Sequence, residues 1–178
     1  MFGITVASMK LVTTAWVIGI MYELQPSAPW VHSYAETADA IASASNSDPL
    51  FKDDDGAVKT ASILIALALH ESHFQPNAIG DHGKSFGLFQ IQPPTAHVDA
   101  SLLLLPRNAA LIAIDLIRTS MQKMCANRPY AERLAWYAAG GPVCSTHHKA
   151  TEASSTVLHI AKKIVDKHSM LLLAENKD

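Results

Sequence analysis

Glu71 stands between two histidines in the stretch His70-Glu71-Ser72-His73-Phe74, at the end of a long apolar run. Three chemistries fit those residue types: metal ligation, acid–base work by the carboxyl, or only a charged residue ending a core helix. The zinc-protease pattern H-E-x-x-H sets its imidazoles at i and i+4. Here the histidines lie at i and i+3 with no third ligand in view, so no metal site is predicted. Asp53, Asp54 and Asp55 form a second acidic cluster. A calcium loop needs alternating ligands and a closing glutamate, which are missing. The expected role of these aspartates is to cap the helix that follows.

As an acid, Glu71 is well placed. Burial and the unpaired carbonyls of a helix end both disfavour a charged carboxylate. A carboxyl that keeps its proton can donate it to a leaving oxygen, and glycoside cleavage requires that step. On position alone, a glutamate that reaches solvent or pairs with a lysine is the stronger reading.

The elements that must position Glu71 are legible. Residues 57–73 carry Ile63, Leu64 and Leu67 at helical spacing with alanines between them. A helix apolar nearly all round is expected to be buried. Residues 75–92 contain Pro76, Asn77, Gly80, Gly83 and Gly87, which break any helix and predict a loop or a small strand excursion. Further helices are expected over 34–45, 107–127, 129–139 and 152–173. The fold class is therefore all-α, or mainly helical α+β, with one irregular segment after the most buried helix.

The 178 residues fit one compact domain with a short appendage. A net charge of −2 gives no basic surface for nucleic acid. The scattered His32, His97, His159 and His168 read as surface or capping imidazoles. At the N-terminus, Lys10 interrupts an apolar stretch, and residues 11–22 are shorter than the roughly 20 residues of a membrane span. They suit a signal-peptide core, a weak membrane anchor or a buried helix equally. Pro26 and Pro29 mark a linker, so the chain divides into 1–29 and 30–178. Cys125 and Cys144 belong to no C-x-x-C pair. In an oxidising compartment they would close a loop worth about 3 kcal/mol; two buried thiols are the alternative.

The residues around Glu71 decide between its readings. Glu71, Ser72, Phe74, Pro76 and Ala78 match E-S-x-F-x-P-x-A. Gly87, Leu88, Phe89, Gln90, Ile91, Pro93, Thr95 and Ala96 match G-L-[MF]-Q-I-x-P-x-T-A. With the later Trp136-Tyr137-Ala138-Ala139-Gly140, these resemble the motifs of the lytic transglycosylases and goose-type lysozymes over about residues 57–140. The resemblance implies a lysozyme-like fold and cleavage of the MurNAc–GlcNAc bond of peptidoglycan, with no cofactor. It implies Glu71 as general acid and then base. Ser72 would hydrogen-bond Glu71 or the sugar, although a helix cap is its ordinary role. Gly87 would let the backbone approach the glycan, and Gln90 would contact sugar or orient backbone. Tyr137 matches the tyrosine of the family's Y-N-A-G motif. Action would lie outside the cytoplasm: periplasmic, secreted or on a phage virion.

The departures bear on positioning. Ala138 replaces the asparagine of Y-N-A-G, and Leu105 replaces the aspartate of D-P-x-x-N. Gly80, Asp81, Gly83, Phe86, Gly87, Leu88 and Gln90 also resemble the goose-type pattern G-D-x-G-x-x-F-G-L-M-Q-V-D. That pattern holds water with two aspartates; Asp81 matches the first and Gln92 replaces the second. The balance favours a transglycosylase, in which the muramoyl 6-hydroxyl attacks, over a muramidase that uses water. Asp81 is then a turn residue. A non-catalytic glycan-binding or virion component is the remaining alternative.

Overall fold

Helix α3, Gly56–Ser72, is the axis of the molecule, and every residue from Gly56 to Ala68 except Lys59 is buried. The computed structural model describes residues 11–140, 144 and 148–175. An apolar helix surrounded on all sides must satisfy its few polar side chains internally. Thr60 Oγ1 donates to the Gly56 carbonyl at 2.7 Å and accepts the Leu50 amide at 2.8 Å. Ser62 Oγ donates to the Val58 carbonyl at 2.7 Å. Gly56 opens the helix because a Cβ there would stand 2.1 Å from the Phe51 carbonyl oxygen. Asp55 occupies the N-cap position, but its side chain makes no capping hydrogen bond. Asp53 pairs instead with Lys59 at 2.6 Å. The capping role expected of this aspartate run is thus corrected.

Around α3 pack α1 (Thr14–Leu24), α2 (Tyr34–Ser47), α6 (Pro106–Thr119) and α8 (His148–Glu175). Short α4 (Pro93–Ala96), α5 (Ala100–Leu103) and α7 (Ala135–Ala138) complete the helices described. The fold is mainly helical and lysozyme-like, as the sequence predicts. Helix α1 joins the common core through the fully buried Val17 and Met21. No helix among the described residues is long and apolar enough to cross a membrane.

The glycine-rich segment forms a hairpin of two-residue strands, β1 (Ile79–Gly80) and β2 (Ser85–Phe86), paired antiparallel. Phe86 then bridges to Ile91, closing a second small turn. Chain reversals this tight need left-handed residues, and Asp81, His82, Gly83, Gly87 and Gln90 all have positive φ.

Two expected helices break up. The helix predicted over 107–127 ends at Thr119 and widens into a π turn, Ser120–Met124, closed by the Cys125 amide on the Ser120 carbonyl at 2.8 Å. Residues 129–139 hold a 3-10 turn, Tyr130–Glu132, and then the single turn of α7. Ser120 and Ser154 explain the break, because their hydroxyls take backbone groups that a continuous helix would have used. Ser120 Oγ donates to Arg133 O at 2.7 Å and accepts Tyr137 N at 3.3 Å. Ser154 Oγ donates to Ala131 O at 2.7 Å and accepts Leu134 N at 3.0 Å.

Candidate active site

Glu71 lies in the last turn of α3, half-buried, at the edge of a cleft of about 210 Å³. One wall is the hairpin and the turn after it, with Asp81, Gln90 and Gln92. The facing wall is α7 and its continuation, from Trp136 to Gly140. Just beyond Glu71 the helix stops abruptly. His73 and Phe74 both adopt left-handed backbone, and their amides return to the carbonyls of Leu69 (3.2 Å) and Ala68 (3.1 Å). That reversal satisfies helix-end carbonyls and sends the chain into the hairpin. Phe74 anchors it, fully buried and edge-on to Tyr34 with ring centroids 5.6 Å apart.

Glu71 Oε1 lies 3.3 Å from Nδ1 of His70. That hydrogen bond raises the His70 pKa above its ordinary value; burial opposes it, and the charge of Glu71 adds to it. Across the cleft, the Tyr137 hydroxyl donates to the Phe89 carbonyl at 2.8 Å. Burial, and then the negative charge of Glu71, push the phenol well above its usual pKa. It therefore stays protonated and keeps its donor role.

The other expected site residues separate into two groups. Asp81 and Gln90 line the cleft with Glu71 and Tyr137. Asp81 sits in the hairpin turn at φ 48°, and its carboxylate accepts the Ser85 hydroxyl at 2.5 Å. Gln90 Nε2 donates to the carbonyls of Gly87 (2.9 Å) and Ala78 (3.3 Å), so its amide orients the backbone.

Ser72, Gly87 and Phe86 are not among the residues that line the cleft. Ser72 is buried, and its hydroxyl lies 2.8 Å from the Leu88 carbonyl and 3.1 Å from that of Ala68. It ties the end of α3 to the segment carrying Phe89 and Gln90. Gly87 has φ +73°, and a Cβ there would stand 1.8 Å from the Leu103 carbonyl oxygen. Close packing against α5 requires this glycine. Phe86 is half-buried against the core.

Two further features shape the cleft wall. Trp136 lines the cleft beside Tyr137, but in a one-turn helix no periodicity marks which side chain faces the site. The disulfide Cys125–Cys144 joins the end of the π turn to the chain beyond α7, with Cα atoms 5.4 Å apart. The whole Trp136–Gly140 wall lies inside the loop it closes.

The transglycosylase SLT domain model matches residues 52–160. The chain belongs to that family. The matched span holds α3, the hairpin, α7 and both cysteines. No curated protein and no solved structure matches the chain. Membership in the transglycosylase SLT family implies a peptidoglycan substrate and action outside the cytoplasm, with which the Cys125–Cys144 disulfide is compatible.

Proposed function

We propose that the protein is a peptidoglycan lytic transglycosylase, with Glu71 as its single catalytic residue. In this reading the Glu71 carboxyl gives its proton to the oxygen joining MurNAc to GlcNAc as that bond breaks. The resulting carboxylate then takes the proton of the muramoyl 6-hydroxyl while that oxygen bonds to C1. The products are a GlcNAc end and a 1,6-anhydromuramoyl end, and no water is consumed. The observation that carries the reading is the place of Glu71, at the end of a buried helix, on the rim of a cleft whose far wall is the aromatic segment Trp136–Tyr137.

Hydrolysis by water is the second reading, and Asp81 is the observation in its favour, because it is the other carboxylate lining the cleft. Two features weigh against it. The Asp81 carboxylate is engaged by the Ser85 hydroxyl. Gln92, an amide that cannot act as a base, stands on the same wall where the goose-type pattern has its second aspartate. Residues 30–178 are read as the enzymatic unit.

The test is a digest of purified sacculi analysed by mass spectrometry, with wild type and Glu71→Gln. Muropeptides one water lighter and without reducing ends are expected from wild type, and none above background from Glu71→Gln. Ordinary reducing ends would point to the muramidase. Full activity in Glu71→Gln would remove Glu71 from the mechanism. Binding without cleavage by wild type would favour a glycan-binding or virion component.

A further inference from the structure

The cleft does not end at Glu71. Glu71 and Ala138 also line a second, shallower groove of about 430 Å³, which runs onto the first two turns of α8. Its small side chains are Ala138, Ala150 and Ala153; its polar ones, besides Glu71, are His70, Lys149, Glu152 and Thr156. Lys149 makes no ion pair among the described residues. Among the described residues, Glu152 has only a long, exposed contact with His148, at 3.9 Å. Lys149 and Glu152 are three residues apart, which places them as neighbours on the helix surface. The groove thus offers a cation and an anion side by side over small side chains.

We propose that this groove receives the peptide stem of the substrate, with Lys149 meeting a stem carboxylate and Glu152 a stem amino group. The proposal rests on the reading that the cleft binds peptidoglycan strands. The stem hangs from the lactyl group of the muramoyl ring, and the bond that Glu71 would protonate leaves that same ring. The stem must therefore exit the cleft beside Glu71. The groove opens at that point, since Glu71 and Ala138 line both. Its small alanines let an extended peptide lie close, and its two opposite charges match a stem that carries both free carboxylates and amines.

The experiment compares intact sacculi with glycan strands stripped of stems by an amidase, as substrates for wild type, Lys149→Gln and Lys149→Glu. Wild type is expected to cleave stem-bearing strands faster. Lys149→Glu is expected to lose about fivefold in kcat/KM on them, the scale of an exposed ion pair, with Lys149→Gln between. Neither variant should slow on stripped strands, and the wild-type preference should shrink in high salt. Lys149 is exposed, so melting temperatures should not move. Equal slowing of both substrates, no slowing of either, or no wild-type preference would overturn the proposal while leaving the transglycosylase reading intact. If wild type cleaved neither substrate, both would fall.

Discussion

His70 Nδ1 and Glu71 Oε1 are 3.3 Å apart, which couples the proposed acid to a titratable imidazole. The hydrogen bond to Glu71 raises the His70 pKa, and the Glu71 charge adds to it against the effect of burial. A group whose folded pKa is raised stabilises the fold fully below its unfolded pKa, about 6.5. That contribution fades as pH rises through the folded value. Wild type should therefore gain stability over Glu71→Gln on going from pH 8 to pH 6. In an NMR titration His70 should titrate above a free histidine in wild type, and lower in Glu71→Gln, where burial is the cause left. Identical His70 titrations in the two proteins would show that the pair does not form.

The Cys125–Cys144 bridge should matter to both fold and cleft, because its loop contains Trp136 to Gly140. Cross-linking across 19 residues is worth about 3 kcal/mol in the chain-entropy model. Replacing both cysteines with serine should lower the melting temperature by about 10 °C at this chain length. KM on sacculi should rise more than kcat falls, since Glu71 lies on α3, outside the loop. An unchanged melting temperature in the double variant would mean that the serine and tyrosine hydrogen bonds hold this wall unaided.

Trp136 is expected to bind substrate. It is half-buried in the cleft wall next to Tyr137. Trp136→Phe keeps an aromatic face, whereas Trp136→Ala removes it. KM on soluble glycan strands should rise from wild type to Phe to Ala, reaching about tenfold for Ala, equivalent to roughly 1.4 kcal/mol. A large fall in kcat at constant KM would instead assign Trp136 to the placement of Glu71 or Tyr137.

The reading of α3 shows what the sequence makes legible. Its apolar residues recur all round the helix, and both burial and the break after His73 follow from residue type. Motif spacing brings Glu71, Asp81, Gln90 and Tyr137 to one cleft. Ser72 and Gly87 stand outside the cleft lining, and both motif positions serve packing. A hydroxyl bonded to Leu88 and a missing Cβ beside Leu103 stiffen the scaffold under the site. A motif fixes which residue types recur, but not which of them face the cleft. The break between α6 and α7 depends on hydroxyls of Ser120 and Ser154 reaching backbone up to 23 residues away. No local propensity encodes that.

Leu105 is the departure from the family pattern that should be cheapest to reverse. It occupies the N-cap of α6 in extended backbone, with Pro106 at the first helical position and no side-chain cap. The side chain is 53% exposed, so little packing is lost on replacing it. An aspartate there can accept the amide of the second or third helical residue and meet the positive end of the helix dipole. Leu105→Asp should therefore stabilise the protein by about 1 kcal/mol, or roughly 2–4 °C in melting temperature. Leu105→Ala is the control, since it removes the exposed leucine without adding a cap. If Leu105→Ala gained as much, the benefit would come from removing the exposed leucine. If Leu105→Asp lost stability, the contact of Leu105 with its surroundings would outweigh a cap, and the leucine would be a packing residue of this chain.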